Sequence, residues 1–289
     1  AAQLIAQGHA AVDVLDLELA GRRLDEAGRA SMQAPGLDTL GERIALARHY
    51  GHFRPGEGFR EPLASGGEGP DMVVLPHGRF QMGSPEDEAG REDHEGPRHA
   101  IEFKRGFALA RSETTVAEYR RFVEATGYRS LAEREGRSTL YDERGGVMAE
   151  RAGVDWRHDF AGRPADDALP VLHLAFEDAE AYAAWLAAQT GQAYRLPSEA
   201  EFEYALRAGR ADAWAWGTGA PTRLVGNLTG AGDQSASGRR WAHAIAGYSD
   251  GHWGPAPVRS FPPEAFGTYD LVGNASEWVL DCWHDSYRR

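Results

Sequence analysis

Residues 54–70 constrain this chain most, because eight of these seventeen residues are glycine or proline. Such a density interrupts helices and strands alike and is typical of a linker. The residues before it have helical spacing, and those after it form short apolar runs between glycine-rich turns. The sequence therefore predicts a helical docking segment over 1–53, a linker over 54–70 and a second domain over 71–289.

The first segment repeats its apolar residues near helical spacing on both sides of Pro35-Gly36. This pattern predicts two short helices. They could form a spacer or hairpin that docks a partner domain. They could instead be the remnant of a helical repeat array, although no second copy is visible.

The second domain is predicted to mix short strands with capped helices. Met72–Leu75 and residues 79–82 favour a β-hairpin, and further strands are predicted at 100–103, 107–110 and 170–174. Helices are predicted after Thr115 and Ser198, because each is followed three residues later by glutamate, and also over 177–188. Residues 128–168 are polar and weakly periodic, which predicts a long surface excursion.

Composition excludes several classes of protein. The chain has 31 basic and 44 acidic residues, so its net charge of -13 disfavours a nucleic-acid-binding surface. No apolar run is long enough to cross a membrane. Its one cysteine, Cys282, excludes an intrachain disulfide or a Cys-x-x-Cys zinc site and favours a reducing, cytoplasmic location.

Two oxygen-rich clusters lie in the last third of the chain. The first pairs Asn227 with Asp250, and in the second Asp270 and Glu277 flank a glycine turn. Carboxylate, amide and backbone oxygens are the ligands that calcium prefers. Solvated acidic loops with this pattern are also common, so the residues alone leave both interpretations open.

Other candidates carry weaker signals. His94 and His99 could chelate a transition metal, and Cys282 with His284 would share a face if that segment were a strand. Ordinary solvated histidines and a core cysteine beside an exposed histidine explain the same residues. No nucleophile elbow or phosphate-binding glycine loop is present, so hydrolase, nucleotidase and dinucleotide-binding functions lack support.

An ordered set of motifs is more specific. It comprises Val73-Val74-Leu75-Pro76-His77-Gly78-Arg79-Phe80-Gln81-Met82-Gly83-Ser84, Glu113-Thr114-Thr115-Val116, Arg195-Leu196-Pro197-Ser198-Glu199-Ala200-Glu201 and Gly267-Thr268-Tyr269-Asp270-Leu271-Val272-Gly273-Asn274-Ala275-Ser276-Glu277-Trp278. Together these motifs resemble the formylglycine-generating enzyme (sulfatase-modifying factor) family over about residues 70–289. The resemblance implies an α+β, C-type-lectin-like fold, low in regular secondary structure and preceded here by the short helical segment.

The resemblance also implies two structural calcium sites. One would use the side chains of Asn227 and Asp250 with the backbone oxygens of Leu228 and His252. The other would use Asp270, the carbonyls of Gly273 and Ala275, and Glu277. A cation there would bridge loops that have little strand pairing to hold them.

The chain departs from the family's oxidases at their copper site. Those members bind copper through two cysteines in a C-terminal segment and convert a substrate cysteine to formylglycine. Cys282 matches neither cysteine, and the chain stops at Arg289, before that segment and the closing strands of the fold. Two thiolates select Cu(I), so we expect neither copper nor copper-dependent oxidase activity from the chain as given.

Two functions follow as hypotheses. One is a bacterial binding or regulatory module, similar to the variable proteins of diversity-generating retroelements, which holds a protein or small-molecule ligand on its loops. Contact residues would be Trp214, Trp216, Trp241 and Trp253, unless these pack in the core. The alternative is an oxidoreductase whose catalytic segment is absent, or one resembling siderophore-maturation or sulfoxide-synthase relatives. A sulfoxide synthase needs an iron site, and His9, His49 and His52 do not have the spacing to form one.

Overall fold

The computed structural model describes residues 1–288. The chain divides into two compact units. The first comprises Ala1–Gly58, Val73–Arg79 and Glu102–Ala108, and the second comprises the remaining described residues. None of the helices in residues 1–288 has both the length and the apolar character needed to span a membrane.

The first unit contains three helices, α1 (Ala2–Asp13), α2 (Leu17–Ala30) and α3 (Leu37–Tyr50), so the prediction of two helices was wrong. The apolar pattern continues through a break at residues 14–16. There Leu15 takes a left-handed backbone with φ of 57°, and Asp16 caps α2 by accepting the Leu19 amide at 2.9 Å. The helices bury mainly small and aliphatic side chains, including Ile5, Ala20, Ala27, Leu40 and Ile44.

The strands β1 (Gly58–Phe59), β2 (Met72–Leu75), β3 (Gly78–Met82), β4 (His99–Phe103) and β5 (Phe107–Ala110) form two sheets, ordered β1-β2-β5 and β3-β4. The predicted strands at 100–103 and 107–110 are confirmed. The predicted hairpin is wrong, since β2 and β3 pair with different partners. A tight two-residue hairpin needs left-handed residues in its turn, whereas Pro76 has its φ fixed near –65°.

The capped helices of the second unit are confirmed as α4 (Val116–Thr126), α6 (Phe176–Thr190) and α7 (Glu199–Arg207), with the short α5 (Leu131–Glu135) between them. Thr115 with Glu118 and Ser198 with Glu201 form reciprocal capping boxes. Gly127 ends α4 in a left-handed conformation.

The region 128–168 is more ordered than a surface excursion. Besides α5 it forms an antiparallel hairpin of β6 (Arg137–Asp142) and β7 (Val147–Ala152), and its Trp156 is buried in the core. The few buried positions are hard to recognise in this part of the sequence because most of the residues around them are charged. The predicted strand at 170–174 is also wrong, because only Pro170 pairs, through an isolated bridge, and His173 takes a φ of 62°.

An aromatic core holds the second unit together. Tyr119 and Phe122 of α4 pack against α6, where they contact Tyr182 and Trp185. The ring of Trp156 packs against that of Tyr119, with the ring centroids 5.5 Å apart. Burying each such side chain contributes about 1.5–3 kcal/mol. Residues 208–288 have isolated bridges but no helix or longer strand. The loops that carry both oxygen clusters therefore depend on contacts other than sheet ladders.

Candidate functional site

The first oxygen cluster is assembled around Asp250. Its carboxylate accepts the backbone amides of Leu228 at 2.7 Å and His252 at 2.8 Å. The amide nitrogen of Asn227 lies 3.4 Å from each of the two carboxylate oxygens and donates to the Gly254 carbonyl at 3.2 Å. The structure thus brings together all four residues that the sequence assigned to this cluster.

Asp233 shapes this loop and was missed by sequence reasoning. It is buried and accepts the Ser249 hydroxyl at 2.6 Å and the amides of Asp250 and Gly251 at 3.2 and 3.0 Å. Burial and the neighbouring Asp233 raise the pKa of Asp250, against the two hydrogen bonds that lower it. A lone aspartate after glycine gives no sequence signal for this role.

The second cluster begins at Asp270, a buried residue with φ of 63°. One carboxylate oxygen accepts the Arg259 amide at 2.6 Å, whereas Oδ1 is buried without a hydrogen-bond partner among the described residues. A buried acceptor left unpaired is costly, so this atom is a candidate ligand for a cation. Burial raises the pKa of Asp270.

Two further acids face this cluster. Glu113 is buried, and neither of its side-chain oxygens makes a hydrogen bond of ordinary geometry within the described residues. Its own backbone amide and the nearby Asn274 amide act to lower its pKa. Burial first, and then the charges of Glu277 and Asp270, raise the pKa of Glu113 to about 8. Sequence reasoning missed Glu113, which lies more than 150 residues before Asp270 in the chain.

Glu277 lies in a recess rather than in the core. Its side chain is exposed to solvent, although many protein atoms of the recess lie close around it. Partial desolvation by these atoms, followed by the charges of Asp270 and Glu264, raises the pKa of Glu277. A bound cation would lower this pKa again and favour the ionised carboxylate.

The two clusters meet at one recess of about 500 Å³. Six of the eight predicted ligand residues line it, namely Asn227, Leu228, His252, Gly273, Ala275 and Glu277, whereas Asp250 and Asp270 do not. The rings of Trp241 and Trp253 stack 4.2 Å apart on its wall. Of the four tryptophans proposed as contact residues, these two line the recess, whereas Trp214 and Trp216 stack on each other elsewhere.

The residues gathered at this recess offer oxygen atoms and no thiol. Within residues 1–288, no three His, Cys, Asp or Glu side chains gather closely enough to hold a metal by themselves. A cation here therefore needs the amide and backbone oxygens as well, and such hard ligands suit calcium. The chain's single thiol, Cys282, is exposed and cannot supply the thiolate pair that selects Cu(I).

The remaining sequence candidates do not form a site. His94 contacts the ring of Trp283 and His99 that of Tyr287, with ring centroids 4.5 and 5.0 Å apart. Cys282 lies in irregular chain rather than in a strand, so the shared face with His284 is not formed.

Comparison with known proteins identifies the type of domain. A family model for the sulfatase-modifying factor enzyme 1-like domain matches residues 59–289. The chain is 32% identical over 244 residues to the formylglycine-generating enzyme of Streptomyces coelicolor, covering 75% of this chain and 70% of that protein. It is 32% identical over 237 residues to the mouse enzyme, covering 73% of this chain and 58% of the relative.

Two further matches are a relative that is named as inactive and a protein of known structure. The inactive C-alpha-formylglycine-generating enzyme 2 of Bos taurus is 32% identical over 236 residues, covering 74% of this chain and 71% of the relative. The structure of PvdO from Pseudomonas aeruginosa is 35% identical with a TM-score of 0.60, covering 81% of this chain and 78% of that one.

Fold and motifs together define a mixed α+β domain of the formylglycine-generating enzyme type. The chain belongs to the sulfatase-modifying factor family. It spans 58% of the length of the mouse relative and 70% of the Streptomyces one.

Proposed function

We propose that residues 59–289 form a calcium-stabilised, C-type-lectin-like binding or regulatory module. Its ligand would occupy the recess between the stacked pair Trp241 and Trp253 and the loop that ends at Glu277. The observation that carries this proposal is the convergence of both oxygen clusters on that recess. A concave site with aromatic walls and a few convergent polar groups is the usual form of a small ligand site.

Calcium would support the walls of the recess. Asn227 and Asp250 would hold one ion together with the backbone oxygens of Leu228 and His252. When bound, calcium would supply positive charge and fix the loops. Backbone amides already orient the Asp250 carboxylate, so this one ligand is positioned before the ion arrives.

The second ion would be held by Asp270, Glu277 and the carbonyls of Gly273 and Ala275. Glu113 would add a carboxylate from another part of the chain. The unpaired oxygens of Glu113 and Asp270 support this assignment, because a cation would satisfy acceptors that otherwise stay buried and unpaired. The loop before α4 places Glu113 against this cluster.

The single cysteine favours a binding function over a copper-dependent oxidase function. The chain supplies one exposed cysteine, and the family includes an inactive bovine relative of comparable identity.

A partner that docks on residues 1–53 remains part of the proposal.

The alternative is an oxidoreductase function. It is favoured by the relatives from Streptomyces coelicolor and mouse that are named as formylglycine-generating enzymes. In this case the copper-binding residues would have to come from outside the given sequence.

Metal titration and a product assay separate the two functions. The chain would be titrated with calcium and, under anaerobic conditions, with Cu(I), using Cys282→Ser as the matched control. A cysteine-containing sulfatase peptide would then be assayed for an aldehyde product by mass spectrometry. Calcium binding, Cu(I) binding no tighter than that of a single exposed thiol, and an unmodified peptide are the expected results. Aldehyde formation would reject the non-catalytic proposal.

A further inference from the structure

A second, separate recess lies at the end of α7. It has a volume of about 220 Å³ and is walled by the end of α7, the loop over residues 210–225 and the turn at 262–265. Three arginines line it, Arg207, Arg210 and Arg223. A cluster of guanidinium groups is unexpected in a chain with a net charge of -13.

The three arginines differ in how they are engaged. Arg207 is held by the Glu203 carboxylate at 2.6 Å and by the Gly83 carbonyl at 3.1 Å, so it has a structural role. Arg210 and Arg223 are exposed, and neither makes an ion pair or side-chain hydrogen bond with another described residue. Two guanidinium groups on one recess therefore retain their donors for a ligand.

An aromatic wall stands beside these donors. The indole nitrogen of Trp216 donates to the Gly219 carbonyl at 2.9 Å, and the ring stacks on Trp214 with centroids 5.2 Å apart and planes within 3°. Because its N–H group is already bonded, Trp216 offers a ligand its ring surface. Pro262 and Pro263 extend the apolar part of the wall.

One acid also lines this recess. The Glu264 carboxylate accepts the Leu271 amide at 3.1 Å, and its second oxygen is buried. Glu264 therefore faces the protein rather than solvent. The charge that a ligand meets at the exposed side of the recess is that of Arg210 and Arg223.

We propose that this recess binds a small planar organic oxyanion, a carboxylate or a phosphate ester. Arg210 and Arg223 would bind the anionic oxygens, while the planar part of the ligand would pack on Trp216 and the prolines. This proposal does not rest on the calcium sites or on the function proposed for the other recess.

Calorimetric titration of the full chain tests this site, with phenyl phosphate as the ligand and inorganic phosphate and phenol as comparisons. We expect saturable binding of phenyl phosphate, and binding of each comparison about tenfold weaker or more, because each lacks one half of the ligand. The double variant R210Q/R223Q should weaken phenyl phosphate binding about tenfold or more. R98Q, which removes an exposed arginine elsewhere, should leave it unchanged.

Three results would overturn the proposal: no saturable binding, an equal loss in R98Q, or phenol binding as tightly as phenyl phosphate. Salt dependence in the unmodified chain provides a test that needs no variant. Binding should weaken as sodium chloride is raised, since the site acts through two exposed charges. A salt-independent affinity would count against it.

Discussion

The backbone oxygen of Asn227 accepts the amide hydrogen of Asn274 at 3.0 Å. This bond joins the loop of the first oxygen cluster to the loop of the second. Asn274 also bonds Ala256 through its side chain, which accepts the Ala256 amide at 2.8 Å. The two candidate calcium sites therefore share a backbone connection, and a disturbance at one should reach the other.

Gly273 permits this connection. Its φ is +92°, and an added Cβ would lie 2.1 Å from the Asn227 carbonyl oxygen. We expect Gly273→Ala to lower the free energy of unfolding by about 3 kcal/mol or more, because backbone strain and a backbone clash add together. Urea unfolding followed by tryptophan fluorescence measures this, since all eight tryptophans lie in the second unit.

Gly191→Ala is the matched control. Gly191 has a φ of +72° but open space around the position of an added Cβ. Gly191→Ala should therefore lower the free energy of unfolding by about 1–2 kcal/mol, because an alanine is strained in the left-handed conformation. Equal losses in the two variants would show that the clash at Asn227 is relieved without consequence.

The buried acids predict a pH dependence in the presence of chelator. The pKa of Glu113 is about 8 in the folded chain against an ordinary value of 4.5. Between these values the folded state keeps a proton that the unfolded state releases. The free energy of unfolding should therefore fall as pH rises from about 4.5 to 8, and the full contribution should be present below 4.5.

Glu113→Gln should reduce this slope, because glutamine does not titrate, and Glu277, whose pKa is also raised, would contribute part of the remainder. Glu86→Gln, in an exposed acidic loop, is the control and should leave the slope as it is. Unfolding free energies measured in urea across this pH range decide the matter. A slope that persists unchanged in Glu113→Gln would assign the dependence to other groups.

Asp178 should be a sensitive carboxylate of the core. It is fully buried and accepts the amides of Ala175 at 2.8 Å and Leu131 at 3.0 Å and the Tyr128 hydroxyl at 2.9 Å. Asp178→Ala leaves three donors without this acceptor, which should cost about 3 kcal/mol or more. Glu180→Ala, an exposed position on the same helix, should change the free energy of unfolding by less than about 0.5 kcal/mol. An equally small loss of unfolding free energy in both variants would mean that water accepts the hydrogen bonds that Asp178 accepts in the unmodified chain.

Local chemistry explains what the sequence could predict. The capping boxes at Thr115 and Ser198 involve residues three apart, so the helices they begin are visible in the sequence. Likewise, Asp270 and Glu277 lie seven residues apart around a glycine turn. Their oxygen-rich pattern is therefore recognisable within a single short stretch of chain.

Nonlocal pairing explains what the sequence could not predict. Strand β2 pairs with β5 across more than thirty residues, and no short pattern distinguishes that partner from the adjacent β3. Glu113 reaches Asp270 in the same nonlocal way. Asp233 acts through backbone amides of Asp250 and Gly251, whose positions depend on the folded loop.

The melting temperature in excess calcium and in excess chelator tests the central claim most directly. At a free calcium concentration a hundredfold above the dissociation constant, one site adds about 2.7 kcal/mol. For a domain of this size the melting temperature should rise on the order of 5–10 °C. Asp270→Asn should lose part of this increase, while Asp87→Asn, in an exposed loop, should keep all of it. Identical melting temperatures in calcium and in chelator would contradict the account.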